Sequence, residues 1–167
     1  MCPPRLCLRP GQTLVAQPRP EAGVPEVAFH FNAPDRLAYA CRLLRKAYLR
    51  KARLFVWTAD SDLAKLDAAL WTMGAGEFVP HCRVDDADLL RSRSPIHLGS
   101  ALPDDRGAFI LVNLRHDMPD DPGAFSRIIE VVTLDEADRA PARERWRQYK
   151  ALGLEPQRHD LQLAPAD

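Results

Sequence analysis

Glycine is scarce in this sequence, and the chain carries neither net charge nor a long apolar segment. Its 167 residues include 8 Gly and 4 Cys, and 23 Lys and Arg balance 23 Asp and Glu. The lack of net positive charge argues against a protein whose main task is to coat nucleic acid. No apolar run approaches the roughly 20 residues that span a bilayer, and no CxxC spacing indicates a zinc site or a disulfide framework. We expect a soluble globular protein of a reducing, cytoplasmic compartment.

Proline, in contrast, is abundant and concentrated at the N-terminus. Six of the 15 prolines lie in the first 25 residues, which hold a single acid, Glu21. Proline at this density removes backbone donors and fixes φ, which disfavours a packed element. We therefore predict a disordered extension over residues 1–25, one folded domain over 26–160 and a flexible tail over 161–167.

Strand and helix patterns alternate from Glu26 onward. The predicted strands are a period-two strand through Val27, Phe29 and Phe31, a continuous apolar strand Leu54–Trp57, and weaker strands at Pro95–Leu98, Ala108–Val112 and Ile128–Val132. The stretch from His81 to Ser94 is predicted to be a loop. Alternation of this kind indicates an α/β layer fold with a largely parallel central sheet flanked by helices.

Three amphipathic helices are predicted, two between these strands and one after the last of them. Asn32 and Pro34 are predicted to open the first, whose apolar stripe is Leu37, Cys41, Leu44 and Tyr48. Asp60 or Ser61 is predicted to cap the second, with the stripe Leu63, Leu66, Leu70 and Met73. The last begins at a capping box of Thr133 and Glu136 and runs toward Gly153. Pro141 lies inside this helix if it begins at Thr133, and within its first turn if the regular part begins near Asp138.

The features that α/β enzymes need are missing. The first strand-to-helix turn, Phe31-Asn32-Ala33-Pro34-Asp35, has no glycine with which to approach a phosphate. The single Gly-x-Gly, at Gly74 and Gly76, follows a helix and indicates a helix stop. The five histidines form no metal-like pair. We predict no catalytic residue, cofactor or metal.

The last helix carries a basic–aromatic stripe. At about 100° per residue, five side chains fall within one arc of about 100°: Arg139, Arg143, Trp146, Arg147 and Lys150. Arg145 and Tyr149 project elsewhere. Guanidinium groups around an indole suit an acidic peptide with an apolar anchor. The alternatives are a solvated helix face on which Trp146 covers the edge of the core, and weak, salt-dependent binding of nucleic acid.

A second aromatic feature lies on the preceding helix. Trp71 points more than 100° away from the centre of the apolar stripe, and Phe78 follows soon after the helix ends. Two large aromatic residues outside the core stripe fit a protein–protein contact. The alternative is that a neighbouring element buries this side of the helix.

These two segments also carry a family resemblance. The runs Leu66-Asp67-Ala68-Ala69-Leu70-Trp71, Phe78-Val79-Pro80-His81 and 142–150 (ARERWRQYK) resemble the chi subunit of bacterial DNA polymerase III, and the likeness extends over about 27–154. The resemblance implies a single Rossmann-like domain without a functional nucleotide loop. It further implies a non-catalytic accessory subunit of the DNA-directed DNA polymerase complex.

In that family, chi binds the psi subunit, which tethers it to the clamp loader, and grips the acidic C-terminal tail of single-stranded DNA-binding protein (SSB). Carried over by motif position, the tail site comprises Val132, Arg139, Arg143, Trp146 and Arg147, with Lys150 of the stripe beside them. The resemblance assigns Arg143 to the tail carboxylate, and Val132 with Trp146 to the apolar wall. It assigns Trp71 and Phe78 to psi.

The sequence departs from the family at the tail site, and other functions remain open. Arg139 replaces a lysine, Trp146 stands where a tyrosine is usual, and Pro141 has no counterpart. The alternative functions are a direct DNA-binding module and a helicase-associated repair factor, in which a helicase would occupy the surface around Trp71 and Phe78. Any contact with DNA is otherwise expected to be mainly indirect.

Overall fold

A parallel β-sheet forms the centre of the computed structural model, which describes residues 25–74 and 76–161. Within these residues the sheet has seven strands: β1 Glu26–Ala33, β2 Leu54–Trp57, β3 His81–Arg83, β4 Ile96–Gly99, β5 Ile110–Asn113, β6 Arg127–Thr133 and β7 Gln157–Asp160. The α-helices of the described residues are α1 Arg36–Leu49, α2 Asp60–Trp71, α3 Asp88–Arg93 and α4 Glu136–Ala151. The predicted extension of residues 1–25 and tail of 161–167 lie outside the described residues, apart from Pro25 and Leu161.

The strand order is β3-β4-β2-β5-β6-β1-β7, and every neighbouring pair is parallel. This confirms the predicted α/β fold and is consistent with a Rossmann-like sheet. The strand predicted through Val27, Phe29 and Phe31 is present, but Ala28 between them is also fully buried. Both faces of β1 are covered because helices lie on either side of the sheet, and β6 and β7 pair with its two edges.

Two short strands, β3 and β7, are not predicted by the apolar patterns of the sequence. The prediction of a loop over His81–Ser94 is wrong, because His81, Cys82 and Arg83 pair in register with β4 and α3 follows them. The polar strand β7 pairs with β1 at the opposite edge of the sheet. Strands of three and four residues at sheet edges depend on a partner strand more than on their own side chains.

The predicted starts of the first two helices are also wrong. Asp35, and neither Asn32 nor Pro34, caps α1 by accepting a hydrogen bond from Ala38 N at 2.8 Å. Asn32 instead adopts a left-handed conformation with φ of 67° at the end of β1. Helix α2 has Ala59 at its cap without a side-chain bond, so Asp60 and Ser61 are its first helical residues.

The predicted capping box of the last helix is absent as well. Asp135 caps α4 by accepting from Ala137 N at 3.0 Å, while Thr133 donates its hydroxyl hydrogen to Asp138. Helix α4 begins at Glu136, which leaves Pro141 inside the helix, beyond the first turn.

The helices divide between the two faces of the sheet. Each face of the sheet has its own hydrophobic core, and alternate residues of β2 point into one or the other. Leu54 and Val56 pack with α1 and α2, whereas Phe55 and Trp57 belong to the core under α4. The α4 side contributes Ala142 and Tyr149 to that core. Along the described ranges, no helix combines the length and apolar character needed to cross a bilayer.

Candidate functional site

A buried polar network fixes the inner face of α4. Arg145 Nε lies 3.1 Å from Glu130 Oε2 on β6, and both side chains are buried. Tyr149 donates its hydroxyl hydrogen to Glu130 Oε1 at 2.7 Å, and Asn113 Nδ2 donates to the same oxygen at 3.0 Å. Burial raises the pKa of the Glu130 carboxyl, and the charge of Arg145 opposes that rise. Because both partners are fully enclosed, this network sets the rotation of α4 about its axis.

A second polar cluster fixes the N-terminal turn of α4. The carboxylate of Asp138 accepts hydrogen bonds from Arg36 of α1, from Thr133 and from His116 Nε2 at 2.5 Å. Burial opposes ionisation, but these three donors outweigh it and lower the pKa of Asp138 to about 2. The cluster joins α4 to β6, to α1 and to the loop after β5.

With its inner face fixed, α4 presents Trp146 at the edge of the sheet. The indole is half-buried and packs on Phe29 and Phe31, with ring centroids 5.0 and 6.2 Å apart. Lys150 Nζ lies 5.9 Å from the centroid of the indole, and the guanidinium carbon of Arg158 lies 5.3 Å from that of Phe31. Cations therefore surround an aromatic surface that solvent reaches.

This surface forms an open cleft of about 280 Å³. Its lining defines what we term the α4 cleft: Phe31, Arg143, Trp146, Arg147 and Arg158. Three guanidinium groups from α4 and β7 thus border an apolar floor. A second hollow of about 440 Å³ lies on the other side of Trp146, beside Lys150 and Glu155.

The arginines of α4 that line the cleft pair with glutamates of the same helix. Arg143 Nη1 lies 2.5 Å from Glu136 Oε1, and Arg147 Nη1 lies 3.4 Å from Glu144 Oε2. The hydrogen bond from Arg143 lowers the pKa of Glu136. All four side chains are exposed, so a ligand carboxylate can replace the glutamates without removing a buried charge partner.

The structure brings together some of the predicted tail-site residues and separates others. Arg143, Trp146 and Arg147 line the α4 cleft, and Lys150 flanks it. Arg139 instead donates to Asn32 Oδ1, and Val132 is fully buried in the core beneath α4.

Two residues of the cleft are not predicted as site residues by the sequence. Phe31 is predicted only as a strand residue, and Arg158 lies on β7, whose polar sequence gives no strand signal. The alternation of aromatic residues along β1 was the available signal for Phe31, because alternate residues of a strand share one face.

Trp71 and Phe78 form a separate aromatic surface, which we term the Trp71–Phe78 pair. Their rings lie 5.0 Å apart and the side chains are 61% and 53% exposed. His81 lies 5.3 Å from the Trp71 ring and is held by Asp67 Oδ1 at 2.9 Å and by the Val79 carbonyl at 2.7 Å. Of the two alternatives that the sequence leaves open, burial of this side of α2 by a neighbouring element is therefore absent from the described part of the chain. Because α2 and α4 cover opposite faces of the sheet, the pair and the α4 cleft are separate surfaces.

Comparisons with known proteins agree on one family. The model of the family described as "DNA polymerase III chi subunit, HolC" matches residues 24–157. The DNA polymerase III subunit chi of Pseudomonas aeruginosa is 32% identical over 127 residues, which are 75% of this chain and 87% of the relative. The subunit chi of Escherichia coli is 28% identical over 68% of this chain and 78% of the relative. That of Haemophilus influenzae is 28% identical over 68% and 79%.

Proposed function

The chain belongs to the chi subunit family of DNA polymerase III, and on that premise we propose that it is a cytoplasmic, non-catalytic accessory subunit that joins the polymerase assembly to SSB. Its work is tethering. One surface holds the psi subunit, which leads to the clamp loader, and the other holds the acidic tail of SSB. A second attachment raises the effective concentration of one partner near the other without any bond being made or broken.

The α4 cleft is the observation that carries the contact with SSB. A peptide that ends in a hydrophobic residue presents an apolar side chain and a free carboxylate within a small volume. The apolar floor of Phe31 and Trp146 suits the side chain, and the guanidinium groups of Arg143, Arg147 and Arg158 suit the carboxylate and the acids before it. We assign the terminal carboxylate to Arg143.

The remaining residues of the predicted tail site enter the proposal in supporting positions. Lys150, beside the indole, attracts the acidic residues that precede the tail's end. Val132 supports the floor from within the core, and Arg139, bonded to Asn32, adds positive charge beside the cleft.

Titration of the full chain with an acidic SSB-tail peptide tests the SSB contact. Arg143→Ala should weaken binding about tenfold to a hundredfold, the range for a lost charge-assisted hydrogen bond. Arg158→Ala should weaken it less, because that guanidinium also lies over Phe31. Arg93→Ala, which removes an exposed arginine of α3, should leave the affinity unchanged.

A peptide amidated at its C-terminus separates recognition of the free carboxylate from general attraction of acids. Amidation should weaken binding to the unaltered chain about as much as Arg143→Ala does, and should have little further effect in that variant. Unchanged affinity in Arg143→Ala would exclude the assigned role of Arg143. Binding of bare DNA through the α4 cleft, as tight as that of the peptide, would favour the DNA-binding alternative.

The Trp71–Phe78 pair supports the contact with psi. Tryptophan is enriched among the residues that dominate protein interfaces, and the adjacent, tilted rings of Trp71 and Phe78 present a continuous apolar surface. The ring of His81, held by Asp67, supports them from below.

Co-purification tests this second surface. Trp71→Ala should abolish recovery of co-expressed psi. Leu152 is a similarly exposed apolar residue, so the control Leu152→Ala should retain psi. Equal thermal unfolding midpoints would show that Trp71→Ala still folds. Retention of psi together with loss of a bound helicase would assign the pair to a helicase instead.

A further inference from the structure

The net charge of the chain is zero, but the charges are unevenly distributed, with an excess of cations in and around α1. Seven of the 23 Lys and Arg lie between Asp35 and Asp60, a segment without a single Asp or Glu. The rest of the chain consequently carries 16 cations against 23 acids. The chain is therefore strongly basic in one region and acidic elsewhere.

The cations of this segment are arranged on the outer side of α1. Ala40, Cys41 and Leu44 face the core. At about 100° per residue, the exposed residues of the last two turns fall within an arc of about 140°, and we term them the α1 stripe: Arg42, Arg45, Lys46, Leu49 and Arg50. Lys51, with φ of 60°, extends the positive charge past the end of the helix.

Most of this charge is not neutralised within the fold. Three of the seven cations are engaged: Arg36 with Asp138, Arg45 with Glu77, and Arg53 with the ring of Phe109. Among the described residues, no carboxylate forms an ion pair with the other four, Arg42, Lys46, Arg50 and Lys51. The dipole of α1 favours cations in its last turn only, so it does not account for the whole group.

We propose that the α1 stripe and Lys51 bind the phosphate backbone of nucleic acid. Neighbouring cations on one helix face repel one another. A bound polyanion offsets this repulsion, and the counterions released from its phosphates favour binding. The stripe has no aromatic residue on which bases could stack, so the contact is with the backbone and independent of sequence.

An acidic protein surface fits the α1 stripe less well than nucleic acid does. Hot spots of protein interfaces lie in well-packed, desolvated sites and are enriched in tryptophan and tyrosine as well as arginine, whereas the α1 stripe has arginines without an aromatic residue. Leu49, 67% exposed, is the only apolar member of the stripe, and cations surround it. The proposal is independent of the SSB contact, because α1 and the α4 cleft lie on opposite faces of the sheet.

Fluorescence anisotropy with a labelled duplex of about 20 base pairs, and with a single strand of equal length, tests the proposal. One phosphate contact from each of the four unpaired cations, Arg42, Lys46, Arg50 and Lys51, predicts the salt dependence. The slope of log K against log salt should be about −3.6 for duplex and about −2.8 for single strands. Affinity is expected to be weak, with dissociation constants of about 10⁻⁴–10⁻⁶ M at physiological salt.

Two charge-reversal variants of equal net charge locate the surface. Arg42→Glu/Lys46→Glu/Arg50→Glu should weaken oligonucleotide binding by more than about tenfold, because three phosphate contacts become repulsive. Arg143→Glu/Arg147→Glu/Lys150→Glu should weaken it by less than about threefold, through the long-range field alone. Equal losses in the two variants, or a larger loss in the second, would overturn the assignment to α1.

Two further measurements keep the result interpretable. Lys46→Gln/Arg50→Gln, a milder change, should reduce the salt slope by about 2, so the proposal remains testable if the triple variant unfolds. Polyglutamate of matched charge should bind more weakly than the oligonucleotide. If it binds equally tightly, the stripe recognises acidic protein and the proposal fails.

Discussion

Arg145 and Arg143 lie two residues apart on α4 and show how differently one helix uses the same ion pair on its two faces. Each arginine faces a glutamate at hydrogen-bonding distance. The side chains of Arg145 and Glu130 are 4% and 0% exposed, whereas those of Arg143 and Glu136 are 57% and 65% exposed. The buried pair gives α4 its orientation, and the exposed pair leaves a guanidinium available to a ligand.

The physical basis of this difference is solvation. A buried charge that loses its partner stays in a medium of low dielectric constant, so the energetic cost of breaking the pair is large. An exposed charge that loses its partner is rehydrated at once, so the pair contributes little to stability. Substitutions on the inner face should therefore change the free energy of unfolding, and substitutions on the outer face should change binding.

The largest expected effect is on the inner face. Arg145→Ala leaves the Glu130 carboxylate without its counter-ion in the core and should lower the free energy of unfolding by about 3–5 kcal/mol. Urea denaturation followed by far-UV circular dichroism measures this. The matched outer-face variant Arg147→Ala should change the free energy by less than about 0.5 kcal/mol. Similar losses in the two variants would remove the distinction between the faces.

Sequence periodicity predicted this division of α4 but not all of its consequences. The 100° spacing separated Arg143, Trp146 and Arg147 from Arg145 and Tyr149, as the structure has them. It could not show that Arg139 bonds to Asn32, because that contact depends on a left-handed turn over a hundred residues earlier in the chain.

The fold shows the same limit. Buried strands such as β2 are visible as apolar runs because the chain must hide both of their faces. The edge strands β3 and β7 are short and largely polar, and pairing with a neighbour defines them. For this reason the sequence does not predict Arg158 as a site residue, although it lines the α4 cleft. The partner classes are expectations from the family resemblance, because residue chemistry alone does not specify them.

An intermediate effect is expected at Asp138, which holds the start of α4. Its pKa is lowered to about 2 in the folded protein from an unfolded value near 3.9. The stabilisation, about 2.5 kcal/mol, is fully present above about pH 5 and is lost as the pH falls toward 2. The difference in unfolding free energy between the unaltered chain and Asp138→Asn should therefore narrow over this range. Urea denaturation at several pH values measures it.

His30 provides an internal reference for the pH experiment. Burial, assisted by the charges of His159, Arg127 and Lys46, lowers the pKa of His30 to about 4. Since the folded state resists protonation of this imidazole, stability also falls as the pH drops from about 6.5 to about 4. Asp138→Asn should retain this higher window and lose only the lower one. A constant difference between the two proteins from pH 5 to 2 would contradict the role of Asp138.

The smallest expected effect is on the outer face, where Glu136 would compete with the proposed tail ligand for Arg143. The hydrogen bond between them, with Nη1 and Oε1 2.5 Å apart, must be given up before Arg143 can bind a tail carboxylate. Glu136→Gln removes the competing charge and should tighten peptide binding about two- to fivefold, the range of one exposed ion pair.

Glu77→Gln removes an ion-paired glutamate on the opposite face of the sheet and should leave affinity unchanged. Isothermal titration of the peptide at low and high salt measures both. If Glu136→Gln weakens binding, the glutamate orients Arg143 for the ligand, and the outer pair, like the inner one, positions a side chain.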